Sequence, residues 1–345
     1  MDNVCHFVSE PDMEAECISV CGFDFFMLRR RRDYFAAVAG DLDIQATGVV
    51  LWECSLLLAE YMGYALWIHG GKTELADGDA DIHPWWMTHP PAPVVPSRFW
   101  SSKGHRVLEL GGGSGLVSVT LACLGASVVC SDGDPAAVMT AKRNCHAAKS
   151  RYGHGARTTW GSVDFQQLRW GDKAAVRQLV REHGPFGFVV GSDLLYGDSS
   201  PAGPLLETLA AIATEPEGSG AEVILAMKNR CRDEAYAFCS LARERGLWSV
   251  RTVSQDDLPG QFSMTGQTSD DCPAQDIQAY HVIHMTVLKA HGQNGAKLQK
   301  EEKAAPCSGT GEGRPAPQTA GLTSPTTSGE ALSTSEDSGK RLRLC

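Results

Sequence analysis

The chain has 345 residues, of which 43% are hydrophobic and 21% charged, so it can form one large domain with extensions or two small domains. Its formal net charge of −10 argues against nonspecific binding of polyanions, although a local basic patch is compatible with it. The twelve cysteines form no C-x-x-C pair and therefore signal neither a zinc framework nor a regular disulfide ladder. Reduced thiols in an intracellular protein fit this pattern better.

We expect no signal peptide, because Met1 to Asp12 is acidic and lacks an apolar core. No apolar run approaches the length of a membrane span. We therefore expect a cytoplasmic protein, with the nucleus as the alternative, and no membrane partner. The acidic composition also leads us to expect no nucleic-acid partner, and we expect a monomer.

The first hundred residues give mixed signals. Residues 1–40 are expected to form an N-terminal extension with a strand around Ile18 to Phe26. Arg29 to Arg32 is a dense basic run between apolar residues, which we interpret as a solvated segment beside the fold. Apolar residues at helical spacing predict a helix from Glu53 to Met62. The glycine-rich, acidic and proline-rich stretch 63–104 is then expected to be an insertion.

A strand, a glycine-rich loop and a helix are predicted next. Arg106 to Leu110 has the pattern of a strand, Gly111 to Gly115 that of a turn, and Leu116 to Leu124 that of a helix. Ser127 to Cys130 predicts a second strand, which ends close to Asp132. Such a loop lets a cofactor lie on backbone N–H groups at a helix N-terminus, and an acid after the second strand can hold a ribose diol.

The spacing of the glycines separates two classes of cofactor. Dinucleotide enzymes need G-x-G-x-x-G, but counting from Gly111 and Gly113 the last position is Leu116. What remains is an acid followed by alternating glycines, Glu109, Gly111, Gly113 and Gly115, which resembles the loop of S-adenosylmethionine (SAM) methyltransferases. A glycine-rich turn in an ordinary α/β domain is the alternative.

Strands and helices alternate along the rest of the domain, which predicts a doubly wound α/β fold with a parallel sheet. Asp134 and Pro135 begin a helix as N-cap and first residue. Further strands are expected within 157–168, 186–191, 222–227, 248–253 and 281–289, and further helices at 205–213 and 232–245. From His291 to the end the sequence contains no aromatic residue. We therefore expect a domain at 41–290 and a disordered, low-complexity tail at 291–345.

Four blocks together resemble the seven-β-strand SAM-dependent methyltransferases, and within them the protein-lysine methyltransferases of the methyltransferase-like 21 and lysine methyltransferase family 16 type. The blocks are GVVLWE from Gly48, the Glu109 to Gly115 loop with Asp132 and Asn144, LRWG from Leu168, and SDLLY from Ser192. The D-x-x-Y pattern in the last block narrows the superfamily to this group. The resemblance implies a Rossmann-like seven-stranded sheet of order 3-2-1-4-5-7-6, with the last strand antiparallel and helices on both faces.

The resemblance also implies SAM as the cofactor and assigns roles by position. The residues that would bind SAM are Trp52, Glu109, Gly111, Gly112, Gly113, Gly115, Asp132, Trp170 and Ser192. Asp193 would orient the incoming ammonium and Tyr196 would shape the pocket, and no metal is needed. Core packing of the two tryptophans and a helix-capping role for Asp193 are the structural alternatives. Arg169 departs from the family, which usually has an acid or an amide there.

The function implied by the resemblance is methyl transfer to a lysine of a protein substrate. Two other functions stay open: methyl transfer to another protein side chain, such as arginine or histidine, or to a small molecule, and a non-catalytic protein that keeps the fold and binds SAM. The D-x-x-Y block favours lysine. The intact glycine loop with Asp132 disfavours the non-catalytic protein.

Overall fold

The computed structural model describes residues 13–30, 51–69, 106–153, 160–195, 201–215, 220–229, 234–254, 258 and 280–288, and for 64–69 the backbone alone. The predicted tail at 291–345, most of the predicted insertion, and Tyr196 lie outside these ranges. No helix in the described ranges is long and apolar enough to cross a membrane.

Seven strands form one sheet. They are β3 (Arg106–Leu110), β4 (Ser127–Asp132), β5 (Ser162–Gln167), β6 (Phe188–Ser192), β7 (Glu222–Lys228), β8 (Trp248–Thr252) and β9 (Tyr280–Val287). Their order is β5-β4-β3-β6-β7-β9-β8, with parallel pairs from β5 to β7 and with β9 antiparallel to both of its neighbours. Counted from the first strand of this sheet, the order is 3-2-1-4-5-7-6, which confirms the predicted fold class.

Helices cover both faces of the sheet. They are α1 (Glu53–His69), α2 (Leu116–Cys123), α3 (Pro135–Tyr152), α4 (Lys173–His183), α5 (Ala202–Thr214) and α6 (Glu234–Glu244). One apolar layer contains α1, α2 and α3, and the other contains α4, α5 and α6. In β3, Val107 faces the first layer and Leu108 the second, because successive side chains of a strand point to opposite faces.

A hairpin of β1 (Met13–Val20) and β2 (Phe23–Arg30) packs against the first layer. The prediction of one strand across Ile18 to Phe26 is therefore wrong, because the chain turns in the middle of that stretch. Cys21 and Gly22 form the turn with φ of 51° and 76°, the left-handed pair that two-residue hairpins favour. The backbone N–H of Cys21 donates to Glu60 Oε1 at 2.9 Å, which stabilises this conformation from α1.

Two further predictions for this region are corrected. Arg29 is not solvated, because only 8% of it is exposed and its guanidinium pairs with Glu14 Oε1 at 2.7 Å and with Glu16. Helix α1 continues to His69, seven residues beyond the predicted end at Met62. Gly63 lies within the helix. It lets α1 approach the hairpin turn, because a Cβ there would collide with Cys21 Sγ.

The predicted strands and helices between Arg106 and Val287 are all present, within a few residues at their ends. Helix α4 was not predicted. Asp172 caps it by accepting hydrogen bonds from the N–H groups of Ala174 and Ala175 at 3.1 and 3.0 Å. Its buried residues Val176, Leu179 and Val180 have helical spacing.

Asn144, in the middle of α3, joins three parts of the fold. Its Nδ2 donates to the carbonyl of Leu28 in β2 at 2.9 Å and to the carbonyl of Ser114, before α2, at 2.8 Å. Its Oδ1 accepts from the N–H of Leu28 at 2.7 Å. Because Asn144 is only 2% exposed, these backbone groups depend on it rather than on water.

Asn144→Ala should lower the free energy of unfolding by roughly 2–4 kcal/mol, because it leaves three buried backbone groups without this partner. Chemical denaturation measures the change. Ser150→Ala, on the exposed face of the same helix, is the matched control and should change stability by at most about 0.5 kcal/mol. Equal stability of the two variants would show that Asn144 does not join these parts.

Candidate functional site

The carboxyl ends of four neighbouring strands meet at one edge of the sheet. Asp132 ends β4, the glycine loop follows β3, Ser192 ends β6 and Lys228 ends β7. Strand β3 pairs with β4 on one side and with β6 on the other. The direction in which successive strands are added to the sheet therefore reverses at β3. In open α/β sheets, ligands bind outside the carboxyl ends of the strands at such a reversal.

The loop from Gly111 to Gly115 relies on glycine conformations. Gly111, Gly113 and Gly115 have φ of 63°, 54° and 82°, a region that other residues rarely adopt. A Cβ on Gly115 would also lie 2.9 Å from the Cβ of Ala141 in α3. The N–H of Gly112 donates to the carbonyl of Ser131 at 2.9 Å, which fastens the loop to the end of β4.

Glu109 lies beneath this loop rather than on its surface. Its carboxylate, in a residue that is 1% exposed, accepts the backbone N–H of Ser118 at 3.1 Å and also the Ser118 hydroxyl. Burial raises the pKa of Glu109 from 4.5 to about 7, although the hydrogen bonds from Ser118 oppose this shift. The predicted cofactor residue therefore fixes the start of α2 relative to β3.

Asp132 closes the loop from the side of β4. Its Oδ2 accepts the N–H of Gly113 at 3.0 Å, and its Oδ1 accepts the N–H of Asp134 at 2.9 Å. Burial raises its pKa, opposed by these backbone hydrogen bonds. A carboxylate has about four acceptor positions, so Asp132 retains capacity for a hydroxyl of a bound ribose.

Two side chains of the second apolar layer, from the segments after β5 and after β6, pack against the loop. A Cβ on Gly111 would lie 2.5 Å from Leu194 Cδ2 and 3.4 Å from Trp170 Cζ2, so both touch the first glycine closely. The turn that carries Trp170 is held by a hydrogen bond of 2.8 Å from the N–H of Gly171 to Thr208 Oγ1. Leu194 was not predicted as a site residue, although it lies inside the SDLLY block.

Asp193 follows β6 in an uncommon backbone conformation. Its φ is 57°, which aspartate tolerates better than most residues but which is strained for an L-residue. It is 8% exposed, and its N–H donates to the carbonyl of Ala226 in β7 at 2.8 Å. Ser192, directly before it, is half-buried at the end of β6.

Trp52 lies directly before α1, and its carbonyl accepts hydrogen bonds from the N–H and hydroxyl of Ser55 at 3.0 and 2.6 Å. Its side chain is 37% exposed, so it is not the core aromatic of the structural alternative. Contact of Trp52 with the cofactor stays a prediction. Tyr196 lies outside the described residues, and its role stays a prediction as well.

Comparison with known proteins identifies relatives of this chain. A sequence model of the family described as lysine methyltransferase matches residues 40–244. The chain is 31% identical over 157 residues to protein N-lysine methyltransferase METTL21A of Danio rerio, covering 45% of this chain and 62% of that protein. It therefore spans less than two thirds of that relative.

Solved structures of methyltransferases are also similar in part. A SAM-dependent methyltransferase from Agrobacterium tumefaciens has a TM-score of 0.40 and 12% identity, covering 81% of this chain and 71% of that chain. A TehB-like SAM-dependent methyltransferase from Corynebacterium glutamicum has a TM-score of 0.35 and 14% identity, covering 55% of this chain and 83% of that chain.

The residues at this edge fit S-adenosyl-L-methionine. The positive φ angles of the glycine loop bring backbone rather than side chain to the cofactor face. Asp132 offers carboxylate oxygens at the end of the neighbouring strand, where a ribose diol is held in such folds. Among the described residues, no group of three His, Cys, Asp or Glu side chains is placed to hold a metal ion.

The raised pKa of Glu109 should make stability depend on pH. Because the folded pKa of about 7 lies above the ordinary 4.5, the folded state binds more protons between these values, and the stability present below the lower value is lost as pH rises through the upper one. Glu109→Gln keeps the shape without titrating. The unfolding free energy of the wild type minus that of this variant should fall by roughly 3 kcal/mol from about pH 5 to about pH 8.

Chemical denaturation of both proteins across this pH range measures the difference, and the subtraction removes the groups that titrate in both. A difference that does not change with pH would show that Glu109 has an ordinary pKa, and therefore that the hydrogen bonds from Ser118 offset the effect of burial.

Proposed function

Because the chain belongs to the lysine methyltransferase family, we propose that it transfers methyl groups from S-adenosyl-L-methionine to a lysine side chain of a protein substrate. SAM is the cofactor that this membership implies. The observation that supports the proposal most strongly is the placement of Asp193, after β6, beside the glycine loop that follows β3. Leu194 links the two, since it follows Asp193 directly and touches Gly111.

The name of the Danio rerio relative supports lysine in a protein as the acceptor. Since the chain spans 62% of that relative, its particular substrate is not carried over. The D-x-x-Y block supports the same acceptor over arginine, histidine or a small molecule. The intact glycine loop with Asp132 disfavours the third function, a non-catalytic protein that keeps the fold and binds SAM.

Methyl transfer depends mainly on the positions of the two reacting groups. When bound, SAM supplies an electrophilic methyl group for in-line displacement by an amine. A lysine amine has a reference pKa of about 10.4 and must lose a proton before it can act. Asp193 would accept a hydrogen bond from the incoming ammonium and orient it, because its carboxylate stands in a buried position directly after β6. Tyr196 would border the same pocket with its ring and hydroxyl.

Several related expectations remain predictions. These are a cytoplasmic localisation with the nucleus as the alternative, a monomeric state, the absence of a nucleic-acid partner, and a methyltransferase domain at 41–290 followed by a disordered tail.

Incubation of the purified protein with isotopically labelled SAM and a cell lysate tests the proposal. Mass spectrometry should locate the label on a lysine of a protein. Label on arginine, histidine or a small molecule would establish the second function instead. Binding of S-adenosylhomocysteine without any transfer would favour the non-catalytic protein.

Asp193→Asn should lower kcat for the labelled acceptor by about 100-fold or more, the scale of losing a positioned acid–base group, while changing SAM affinity little. Tyr196→Phe keeps the ring and should have the smaller defect. Steady-state kinetics and calorimetry separate turnover from binding. Asp164→Asn, an exposed carboxylate at the far edge of the sheet, is the matched control, and full activity of Asp193→Asn would leave that residue with a structural role.

Asp132→Ala should weaken SAM by roughly 1–3 kcal/mol, because a charged partner of the ribose is lost. Calorimetry measures the affinity, and circular dichroism checks that the variant is folded. An unchanged affinity in the folded variant would mean that another residue holds the ribose.

A further inference from the structure

Glu53, Lys228 and Tyr280 form a cluster at the carboxyl edge of the sheet, which we call the cation cluster. Glu53 begins α1, Lys228 ends β7 and Tyr280 begins β9. Lys228 Nζ lies 2.6 Å from Glu53 Oε2, and the Tyr280 hydroxyl donates to the same oxygen at 2.5 Å. The Lys228 ammonium also lies 4.9 Å from the centre of the Tyr280 ring. One ammonium is thus held between a carboxylate and an aromatic face.

The cluster adjoins Asp193. Ala226 of β7 pairs with Ser192, and its carbonyl accepts the N–H of Asp193. Lys228 lies two residues further along β7 and pairs with Tyr280 of β9. Burial raises the pKa of Tyr280 above its ordinary value, and the neighbouring carboxylates of Glu53 and Asp193 add to the shift. Asp193 is therefore within electrostatic reach of the phenol.

The order of the strands places the cation cluster on the opposite side of β6 from the glycine loop. The glycine loop and Asp132 occupy the ends of β3 and β4, on one side of β6. The cation cluster occupies the ends of β7 and β9, on the other side of β6. Because the glycine loop and Asp132 lie on the first side, an amine that approaches Asp193 from the second side would meet the cation cluster.

We propose that Glu53 and Tyr280 form a wall of the acceptor pocket that binds the primary ammonium of the incoming lysine, and that Lys228 is the internal cation that weakens this wall by neutralising Glu53. The proposal rests on the proposed function and adds specificity-determining residues to it. A carboxylate and an aromatic face are the two groups that bind an ammonium most favourably. Lys228 shows that this pair holds a primary ammonium, the chemical class of the expected acceptor.

Sinefungin tests the proposal without an acceptor protein. It is an analogue of SAM in which an amine-bearing carbon replaces the methyl sulfonium, whereas S-adenosylhomocysteine carries no charge there. The ratio of the two affinities therefore measures the electrostatic potential where the methyl group meets the acceptor. Calorimetry at fixed pH and ionic strength gives both affinities.

Glu53→Gln should weaken sinefungin by about 3- to 10-fold relative to S-adenosylhomocysteine, because it removes a negative charge near the amine. Lys228→Met should strengthen sinefungin relative to S-adenosylhomocysteine by a similar factor, because it removes a positive charge. Glu207→Gln is the matched control, since that exposed carboxylate on α5 pairs with Lys173 at 3.8 Å on another part of the surface. It should leave the ratio unchanged.

Opposite shifts in Glu53→Gln and Lys228→Met support the proposal, because loss of folding would move both in the same direction. An unchanged ratio, or shifts of the same sign, would overturn the proposed acceptor wall. The cofactor site would still be supported in that case if S-adenosylhomocysteine binds. Absence of S-adenosylhomocysteine binding in the wild type would overturn the proposed function and this inference with it. With the labelled acceptor, Glu53→Gln should raise KM more than it lowers kcat, and the reverse would contradict a role in binding.

Discussion

The glycine loop satisfies only some of its own polar groups, such as the N–H of Gly115, which donates to the carbonyl of Gly112 at 2.7 Å. The site therefore depends on side chains from other elements that hold the loop and the start of α2. Asp132 accepts the N–H of Gly113, Asn144 donates to the carbonyl of Ser114, and Glu109 accepts the N–H of Ser118. Asn144 and Glu109 are almost fully buried, so water does not compete for their hydrogen bonds. A loop fixed in this way loses little conformational entropy when a ligand binds.

The same loop also helps to position the end of β6. Leu194 touches Gly111, directly after β3, and Gly191 on β6, so the two strand ends keep a fixed spacing. Asp193, directly before Leu194, is therefore positioned by contacts with the cofactor loop as well as by its hydrogen bond to Ala226. In-line methyl transfer is sensitive to small displacements of the reacting atoms. In the proposed function, these contacts and the strained backbone would hold the Asp193 carboxylate in a fixed position relative to the cofactor loop.

Local patterns in the sequence predicted most of the sheet and the cofactor loop, because the apolar runs, the glycine spacing and the cap at Asp134 each specify structure within a few residues. The hairpin turn at Cys21 was missed because its partner, Glu60, lies 39 residues away. Arg29 was misplaced for a similar reason, since its acidic partners come from the opposite strand. Helix α4 was also missed, although its signal is local: Asp172 caps it, and Val176, Leu179 and Val180 have helical spacing. The cation cluster joins residues from α1, β7 and β9, and no local pattern could bring them together.

The glycine spacing assigns a SAM-type cofactor, rather than a dinucleotide, to the loop after β3. Calorimetric titration of the purified protein with S-adenosylhomocysteine and, separately, with NAD checks this assignment. We expect binding of S-adenosylhomocysteine and no binding of NAD, because Leu116 stands where the dinucleotide fingerprint needs its last glycine. Binding of NAD without binding of S-adenosylhomocysteine would contradict it.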